Sequence, residues 1–143
     1  MMAKGNAKDL SVRDVMSQNP KTLGRNDQLS LADDVMRAER IRHLPVLDED
    51  GKLCGIVSQR DMFRGALAQA LGYGTAGQGK VLAMLRVKEV MTTEVITIPP
   101  DAALAEAART MLERKIGCLP VLDGGRRLVG ILTESDFVAL AAP

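Results

Sequence analysis

The chain contains an internal duplication. Residues 12–63 return as residues 87–138 at a constant offset of 75 residues, without a gap. Seventeen of the 52 aligned positions are identical, which is too many for two unrelated segments. Two copies are too few for a solenoid, which needs at least about three repeats to bury a continuous core. The 143 residues, the size of one compact domain, therefore predict a duplicated fold.

Each copy has the same order of predicted elements, because its apolar spacing and turn residues recur together. A short extended piece precedes a helix that is expected to begin at Asn26 or Asp27, and at Asp101 in the second copy. A hairpin and a last helix follow, so each copy is a β-α-β-β-α unit of a mixed α/β fold. The predicted strands are 21–23, 44–47 and 53–57, and in the second copy 96–98, 119–122 and 128–132.

The last helix of each copy begins in a motif of Gly, two apolar residues, a hydroxyl residue, two polar residues and Asp, at 55–61 and 130–136. Ser58 or Thr133 falls at the expected helix start, and Asp61 or Asp136 follows three residues later. The common role of this pattern is capping of the helix. The same groups, with several free backbone N–H groups, also suit an anion attached to a sugar. One hydroxyl can serve both roles, so both interpretations stay open.

The composition excludes several classes of function. The net charge is +1, without the basic excess of a nucleic-acid-binding surface, so no nucleic-acid partner is expected. Cys54 and Cys118 form no CxxC pair, which favours a reduced, cytoplasmic protein. The chain has no apolar signal sequence at its start and no apolar run of membrane-spanning length, so we expect a soluble protein with no membrane association.

Metal and catalytic chemistry are not expected either. His43 and Cys118 occupy equivalent positions, but one His and one Cys are too few for zinc, which takes three or four protein ligands. No nucleophile with a base and no acid–base pair stands out, so we predict that the protein is not an enzyme. Residues 74–80 match the spacing of a P-loop, but Val81 stands where Ser or Thr would hold Mg²⁺, and a flexible loop is the better interpretation.

The duplication sets the expected domain boundaries. The first repeat is expected at 10–70, a Gly-rich linker at 71–86, and the second repeat at 87–141. Between the two duplicated segments, in residues 64–86, we expect a helix continuing through 66–71, a loop from Gly72 to Gly79, and a short turn or helix at 81–85. Residues 1–10 are polar and are expected to be frayed.

The repeated Leu-Pro-Val-Leu-Asp at 44–48 and 119–123, each followed by the Gly-to-Asp motif, resembles a tandem pair of CBS domains, or Bateman module. The resemblance covers about residues 10–140 and is closest to small stand-alone bacterial CBS-pair proteins. It implies two pseudo-twofold-related repeats packed through their sheets, with two clefts, and a homodimer shaped like a flat disk. It also implies AMP, ADP, ATP or S-adenosylmethionine as a regulatory ligand, with no cofactor required.

The resemblance further implies that each cleft mixes the two repeats. One cleft would combine Thr133 and Asp136 with Thr22, Leu23, Arg42 and His43. The other would combine Ser58 and Asp61 with Thr97, Ile98, Gly117 and Cys118. The first cleft is predicted to be the better nucleotide site, because only it would gain the basic pair. Since the chain has few aromatic residues, the adenine would lie between aliphatic side chains, namely Leu23, Ile56, Ile98 and Ile131.

Two functions remain in competition at this point. The first is a regulatory, adenosine-binding module that forms a homodimer and acts on an unidentified protein on another chain. The second is a structural dimerisation or interaction module whose clefts no longer bind a ligand. Intact hydroxyl and Asp positions in both copies favour the first.

Overall fold

The computed structural model describes residues 9–73 and 84–142. The segment with P-loop spacing at 74–80, most of the predicted Gly72–Gly79 loop and most of the predicted turn or helix at 81–85 lie outside the described residues. The helices are α1 (Val12–Val15), α2 (Leu29–Glu39), α3 (Gln59–Tyr73), a short 3-10 helix (Val87–Glu89), α4 (Leu104–Arg114) and α5 (Glu134–Ala141). The strands are β1 (Ser17–Gln18), β2 (Leu23–Gly24), β3 (His43–Leu47), β4 (Leu53–Ser58), β5 (Cys118–Leu122) and β6 (Leu128–Thr133).

The described strands form two three-stranded sheets, in the orders β2-β3-β4 and β1-β6-β5. The hairpins β3–β4 and β5–β6 are antiparallel, and their registers are equivalent, with His43 opposite Ser58 and Cys118 opposite Thr133. An isolated parallel bridge from Ile98 to Val121 stands where β2 pairs with β3 in the other sheet. The mixed α/β fold and the strand, helix, strand, strand, helix order of the first copy are confirmed.

A proline lies in the middle of β3 and of β5, where a missing N–H normally weakens a sheet. Pro120 is paired with Ile131 in the hairpin, and its carbonyl oxygen accepts the N–H of Ile98 at 3.1 Å on the opposite side. The proline nitrogen faces that same side, where the parallel pairing begins only at Val121. The missing N–H therefore falls just before the ladder begins.

The chain forms two compact units whose segments are exchanged relative to the repeats. The repeat-1 unit is Lys21–Val95, and the repeat-2 unit joins Met1–Pro20 to Ile96–Pro143. In the repeat-2 unit, the Val12 N–H donates to the Ala102 carbonyl at 2.9 Å. In the repeat-1 unit, the Val87 N–H donates to the Asp27 carbonyl at 2.8 Å. The segment that begins each repeat therefore packs in the unit built mainly from the other repeat.

Each unit has its own aliphatic core, formed where the apolar face of a helix packs on a sheet. In the repeat-1 unit α2 contributes three buried residues at helical spacing, and α4 does the same in the repeat-2 unit. The first core contains Leu23, Leu29, Ala32, Met36, Leu44, Val46, Val57, Met62, Ala66, Leu85 and Val87. The second core contains Val12, Ile98, Leu104, Ala107, Met111, Leu119, Val121 and Leu132.

The predicted starts of the first helix in each copy are wrong by two or three residues. The helices begin at Leu29 and Leu104, after Gln28 and Ala103, which make no side-chain cap. Asp27 instead accepts the N–H of Gly24 at 2.7 Å, which fixes a turn before the helix. A turn and a helix start use the same residue types, so the sequence pattern did not separate them.

Two further expectations need correction. The helix after the first motif continues to Tyr73, so it includes Gly72, where a loop was expected to begin. At the other end of the chain, the Leu10 carbonyl accepts the N–H of Leu104 at 2.8 Å, so residue 10 is part of the repeat-2 unit and is not frayed.

Candidate functional site

The candidate site in each unit is the junction between the last strand and the last helix. β4 ends at Ser58 and α3 begins at Gln59, so no loop separates them. The Asp61 carboxylate Oδ2 accepts the Ser58 N–H at 3.1 Å, and the Ser58 Oγ accepts the Asp61 N–H at 3.0 Å. These reciprocal bonds are a capping box in which Asp replaces the usual Glu or Gln. The capping interpretation is confirmed in the first copy.

The second copy has the same junction with a different use of the hydroxyl. The Asp136 Oδ2 accepts the Thr133 N–H at 2.8 Å, and the Thr133 Oγ1 lies 2.9 Å from the Ser135 Oγ. A longer contact of 3.4 Å joins the Thr133 Oγ1 to the same Asp136 oxygen. Both motif hydroxyls are half-buried. Among the described residues, neither Asp61 nor Asp136 uses its Oδ1 in a hydrogen bond, so each carboxylate keeps one acceptor oxygen.

The helix N-termini offer fewer free N–H groups than the sequence pattern predicted. The Gln59 N–H donates to the Arg42 carbonyl at 2.9 Å, and the Glu134 N–H donates to the Gly117 carbonyl at 3.2 Å. The expectation of free N–H groups was wrong because the hairpin register extends the β-ladder by one hydrogen bond, into the first residue of each helix. An anion at either junction would therefore depend more on cationic side chains than on backbone N–H groups.

The same register places the basic pair beside the first motif. Arg42 precedes β3, its carbonyl is bonded to Gln59, and His43 is directly opposite Ser58. Arg42 and Arg60 are exposed, and His43 is half-buried. Within the repeat-1 unit, the backbone of a basic residue, Arg42, is therefore bonded to the start of the helix in the motif Ser58–Asp61. The expected combination of Arg42 with Thr133 and Asp136 involves both units and stays a prediction.

In the repeat-2 unit the equivalent neighbours have no charge. Gly117 accepts the Glu134 N–H, and Cys118 is opposite Thr133 and buried. The two junctions thus share one backbone geometry and differ in the side chains beside it.

Two of the predicted cleft residues, Leu23 and Ile98, have backbone groups that are used within the sheets. The N–H of Ile98 donates to Pro120 and its carbonyl accepts from Leu122, both at 3.1 Å. Leu23 pairs with Val46 in the parallel ladder. Thr22 and Thr97, the preceding residues, are both exposed. Backbone recognition at these positions would therefore rest on the threonines.

The four aliphatic residues expected around the base are all buried. Leu23 belongs to the repeat-1 core and Ile98 to the repeat-2 core. Ile56 and Ile131 are each 8% exposed and belong to neither core cluster. These two isoleucines are the better candidates for contact with a ligand.

Sequence reasoning missed the role of the glycine that opens each motif. A Cβ on Gly55 would lie 3.0 Å from the Thr92 carbonyl oxygen, and one on Gly130 would lie 2.9 Å from the Ser17 carbonyl oxygen. Both oxygens belong to the segments exchanged between the repeats. The glycines therefore allow close backbone approach. The sequence contained a signal of this role, because the glycine and the Val-x-x-Val-Met segment were duplicated together.

The repeated acids of the hairpin turns, Asp48 and Asp123, are structural. The Asp48 Oδ1 accepts the N–H groups of Asp50 and Lys52 at 2.9 and 3.0 Å. The Asp123 Oδ1 accepts those of Gly125 and Arg127, both at 2.9 Å. The backbone hydrogen bonds from Lys52 and Arg127 are the largest causes that lower the pKa values of Asp48 and Asp123.

No group of three or more His, Cys, Asp or Glu side chains in residues 9–73 and 84–142 is arranged to hold a metal ion. None of the helices in this part of the chain is both long and apolar enough to span a bilayer.

The fold and the duplicated junctions agree with a comparison to protein families. The CBS domain model matches residues 12–67 and again residues 87–142. The chain therefore belongs to the CBS domain family, as a tandem pair. A CBS domain-containing protein of Dictyostelium discoideum is 33% identical over 129 residues, which are 90% of this chain and 89% of the relative. Longer curated relatives, such as a homoserine O-acetyltransferase of Methanococcoides burtonii (32% identical), are matched over only 23% of their length.

Solved structures extend the agreement to three dimensions. A Vibrio cholerae protein described as an acetoin utilization protein (AcuB) is 41% identical, with a TM-score of 0.78 over 92% of this chain and 90% of its own. The CBS domain pair of MJ0100, solved with 5′-methylthioadenosine and S-adenosylmethionine, is 32% identical, with a TM-score of 0.74 over 92% and 95%. CBSX2, solved with AMP, is 29% identical, with the same TM-score over 92% and 95%.

Proposed function

We propose that this CBS pair is a regulatory module that binds an adenosine compound, either an adenine nucleotide or S-adenosylmethionine. The main support is the unused Oδ1 of Asp61 and of Asp136, each held at a strand-to-helix junction by the cap on Oδ2. A fixed carboxylate can accept hydrogen bonds from the two neighbouring hydroxyls of a ribose. CBS pairs with the same fold bind AMP in one case and S-adenosylmethionine in another.

The proposed ligand sites, one at each junction, together include all the residues predicted from the sequence. Asp61 and Asp136 would hold the ribose, the hydroxyls of Ser58 and Thr133 would face the phosphate or its equivalent, and Ile56 and Ile131 would contact the base. The supporting positions are Thr22, Leu23, Arg42, His43, Thr97, Ile98, Gly117 and Cys118.

We assign the phosphate of a nucleotide to the first motif, because the backbone bond from the Gln59 N–H to the Arg42 carbonyl, 2.9 Å long, makes Arg42 a neighbour of this junction, and Arg60 lies within the motif itself. This assignment differs from the preference for Thr133 and Asp136 that the cross-repeat arrangement predicts. The two assignments give opposite results in one experiment. If the first is right, Asp61→Asn weakens AMP binding more than Asp136→Asn does, and the reverse order supports the second.

Calorimetric titration with AMP, ADP, ATP and S-adenosylmethionine tests the proposal. Asparagine keeps an oxygen for the cap but removes the charge that favours a diol, so a loss of affinity without a loss of folding indicates a ligand role. Asp14→Asn is the matched control, because the Asp14 Oδ2 accepts the Ser11 N–H at 2.8 Å outside both motifs. At a ligand concentration of a hundred times Kd, the wild type should gain about 2.7 kcal/mol of stability.

The alternative is a structural module with clefts that bind nothing. It is favoured by the caps, since Gln59, Glu134 and both Asp residues have protein partners without any ligand. Thermal melting curves that do not move with any of the four adenosine compounds would establish this alternative and reject the regulatory one.

In this proposal the protein is not an enzyme, because a CBS pair regulates and the described residues contain no evident catalytic set. It works in the cytoplasm as a homodimer, and its ligand changes the affinity for an unidentified protein. The ligand can shift such an equilibrium only by the difference of its affinities for the two states.

A further inference from the structure

The two junctions carry different charges, and the duplication allows them to be compared position by position. The repeat-1 junction consists of residues 42–43 and 58–61, and its equivalent in repeat 2 consists of residues 117–118 and 133–136. At three pairs of equivalent positions the charge changes, and each change makes the repeat-2 junction more negative by one charge. These pairs are Arg42 and Gly117, Gln59 and Glu134, and Arg60 and Ser135.

The charged side chains that differ are open to a ligand. Arg42, Arg60 and Glu134 are all exposed. None of these three side chains forms an ion pair or a hydrogen bond with another residue in the ranges 9–73 and 84–142. The first turn of α5 has two acids, Glu134 and Asp136, whereas Asp61 is the acid in the first turn of α3. The difference in charge between the junctions is therefore not cancelled by neighbouring described side chains.

A ligand that is held by its ribose lies within range of these charges. In the proposed function the free Oδ1 of Asp61 or Asp136 binds the ribose, and Arg60 or Glu134 lies in the same helical turn. One turn rises about 5.4 Å, which is less than the Debye length of about 8 Å at physiological salt. The group on the 5′ carbon of the ribose is therefore only weakly screened from the charge that differs.

We propose that the two junctions select adenosine compounds of opposite charge, so that one chain binds two different ligands. The repeat-1 junction takes a nucleotide, because its arginines attract a phosphate, which carries a charge of about −2 at pH 7. The repeat-2 junction rejects a phosphate, because Glu134 repels it, and takes a compound whose 5′ group is neutral or positive, such as the sulfonium of S-adenosylmethionine. Repulsion of the wrong ligand is as effective for specificity as attraction of the right one. This selectivity rests on the proposed function and names the ligand class of each junction.

The repeat-2 junction is tested in the Asp61→Asn chain, in which binding at the other junction is weakened. Calorimetric titration compares AMP, S-adenosylmethionine and 5′-methylthioadenosine, whose uncharged 5′ group makes it the internal reference. S-adenosylmethionine should bind at least about tenfold more tightly than AMP. Adding Glu134→Gln should tighten AMP and weaken S-adenosylmethionine, each by about fivefold, without changing the reference. Glu106→Gln, an exposed acid near the start of α4, is the matched control and should change none of the three affinities.

The repeat-1 junction is tested in the Asp136→Asn chain, where AMP should bind at least about tenfold more tightly than S-adenosylmethionine. Adding Arg60→Ser, which introduces the residue found in repeat 2, should weaken AMP by about fivefold and leave the reference unchanged. Lys52→Ser, in the turn at the far end of the β3–β4 hairpin, removes the same charge and should have no effect. Both preferences should shrink as salt rises from about 50 to about 500 millimolar, because salt screens exposed charges.

A titration of the wild type makes the test independent of the variants. Saturation with AMP should leave one site open to S-adenosylmethionine. Loss of S-adenosylmethionine binding under AMP saturation, or the same ligand preference at both junctions, would overturn the opposite selectivity while leaving an adenosine-binding module. An AMP-to-S-adenosylmethionine ratio that Glu134→Gln does not change would overturn it as well. A wild type that binds none of the three compounds would overturn both the selectivity and the proposed function.

Discussion

Met91 lies against Gly55 so closely that a Cβ on the glycine would be 2.5 Å from the Met91 Sδ. The equivalent contact in the repeat-2 unit joins Met16 to Gly130, with the same 2.5 Å separation. Each methionine belongs to the segment that begins a repeat, and each glycine lies in the strand leading to a candidate ligand junction. Each contact holds the strand, and the carboxylate that follows it, against the segment that begins the other repeat.

Gly55→Ala is expected to destabilise the protein. The added methyl meets the Met91 side chain, which can move, and the Thr92 carbonyl at 3.0 Å, which cannot move without shifting the backbone. Overpacking of this kind costs about 1–3 kcal/mol, or a fall in Tm of roughly 2–4 °C for each kcal/mol. Differential scanning calorimetry measures the change.

The matched control for that substitution is Gly124→Ala, because no atom lies within 4 Å of a Cβ built there. Its Tm should stay within about 2 °C of the wild type, as for other surface changes. Equal effects of Gly55→Ala and Gly124→Ala would show that the close approach is relieved without cost.

The residues that end α2 and α4 are strained, which offers a route to higher stability. Arg40 and Lys115 have φ angles of 55° and 56°, in the left-handed region that costs a non-glycine residue about 1–2 kcal/mol. At either position Gly should be more stable than Ala by about 1 kcal/mol, because only Gly relieves the strain. Urea unfolding of the four variants measures this difference.

The helix interior provides the opposite case. At Arg37, within α2, Ala should be more stable than Gly by about 1 kcal/mol. The same order of Gly and Ala at Arg37 and at Arg40 would contradict the assignment of left-handed strain to the helix end.

Stability should fall in acid through the hairpin turns. The Lys52 and Arg127 N–H groups hold the pKa values of Asp48 and Asp123 below the ordinary value. A lowered folded-state pKa stabilises fully above the unfolded-state pKa of about 3.9, and this contribution is lost as the pH falls through the folded-state value. Tm should therefore be steady from pH 6 to 5 and should drop below about pH 4.

Asp48→Asn with Asp123→Asn separates this effect from general acid denaturation. Asparagine can keep the turn hydrogen bonds but cannot titrate, so the variant should have a lower Tm at pH 6 and a smaller further loss toward pH 3. Asp101→Asn, at an exposed position, should follow the wild-type curve. Parallel curves for the double variant and the wild type would exclude the turn carboxylates as the cause.

The fully buried leucines of the paired strands should be among the most sensitive positions in each core. Leu44 and Leu119 are completely buried in β3 and β5, so Leu→Ala at either position should cost about 2–5 kcal/mol through lost contacts and a cavity. Leu112, which is 78% exposed on α4, is the matched control and should change stability by less than about 0.5 kcal/mol. Equal losses at Leu112 and Leu119 in urea unfolding would contradict the core described above.

Much of the fold was predictable because the spacing of the apolar residues and the positions of the turn-forming residues indicate the same helices and strands. The two Leu-Pro-Val-Leu-Asp segments predicted both hairpins correctly. Asp48 and Asp123 stabilise the turns because their carboxylates accept hydrogen bonds from backbone N–H groups two residues later. The Ser58 cap was predictable for the same reason, because it depends on residues three positions apart. Local chemistry of this kind is visible in a sequence.

The parts that could not be predicted depend on residues distant in the chain. Nothing local to Gln59 indicates that its N–H is used by Arg42, because that bond follows from the hairpin register. Likewise, Asp27 looks like a helix cap until Gly24 is placed 2.7 Å away. The two junctions differ in the same way, because similar motifs lie beside different residues of the neighbouring strand.

The exchange of segments between the units limits how this chain can be divided. A cut between the repeats would separate Val12 from Ala102 and Val87 from Asp27. Neither half would then retain all the segments that make up one unit. Lys21–Val95, by contrast, is one continuous stretch and is the natural fragment for expression on its own. If the opening segment of one molecule instead occupied the equivalent place in another, the product would be a domain-swapped oligomer with native-like units. The architecture that joins the two repeats in one molecule is thus also one that could join two molecules.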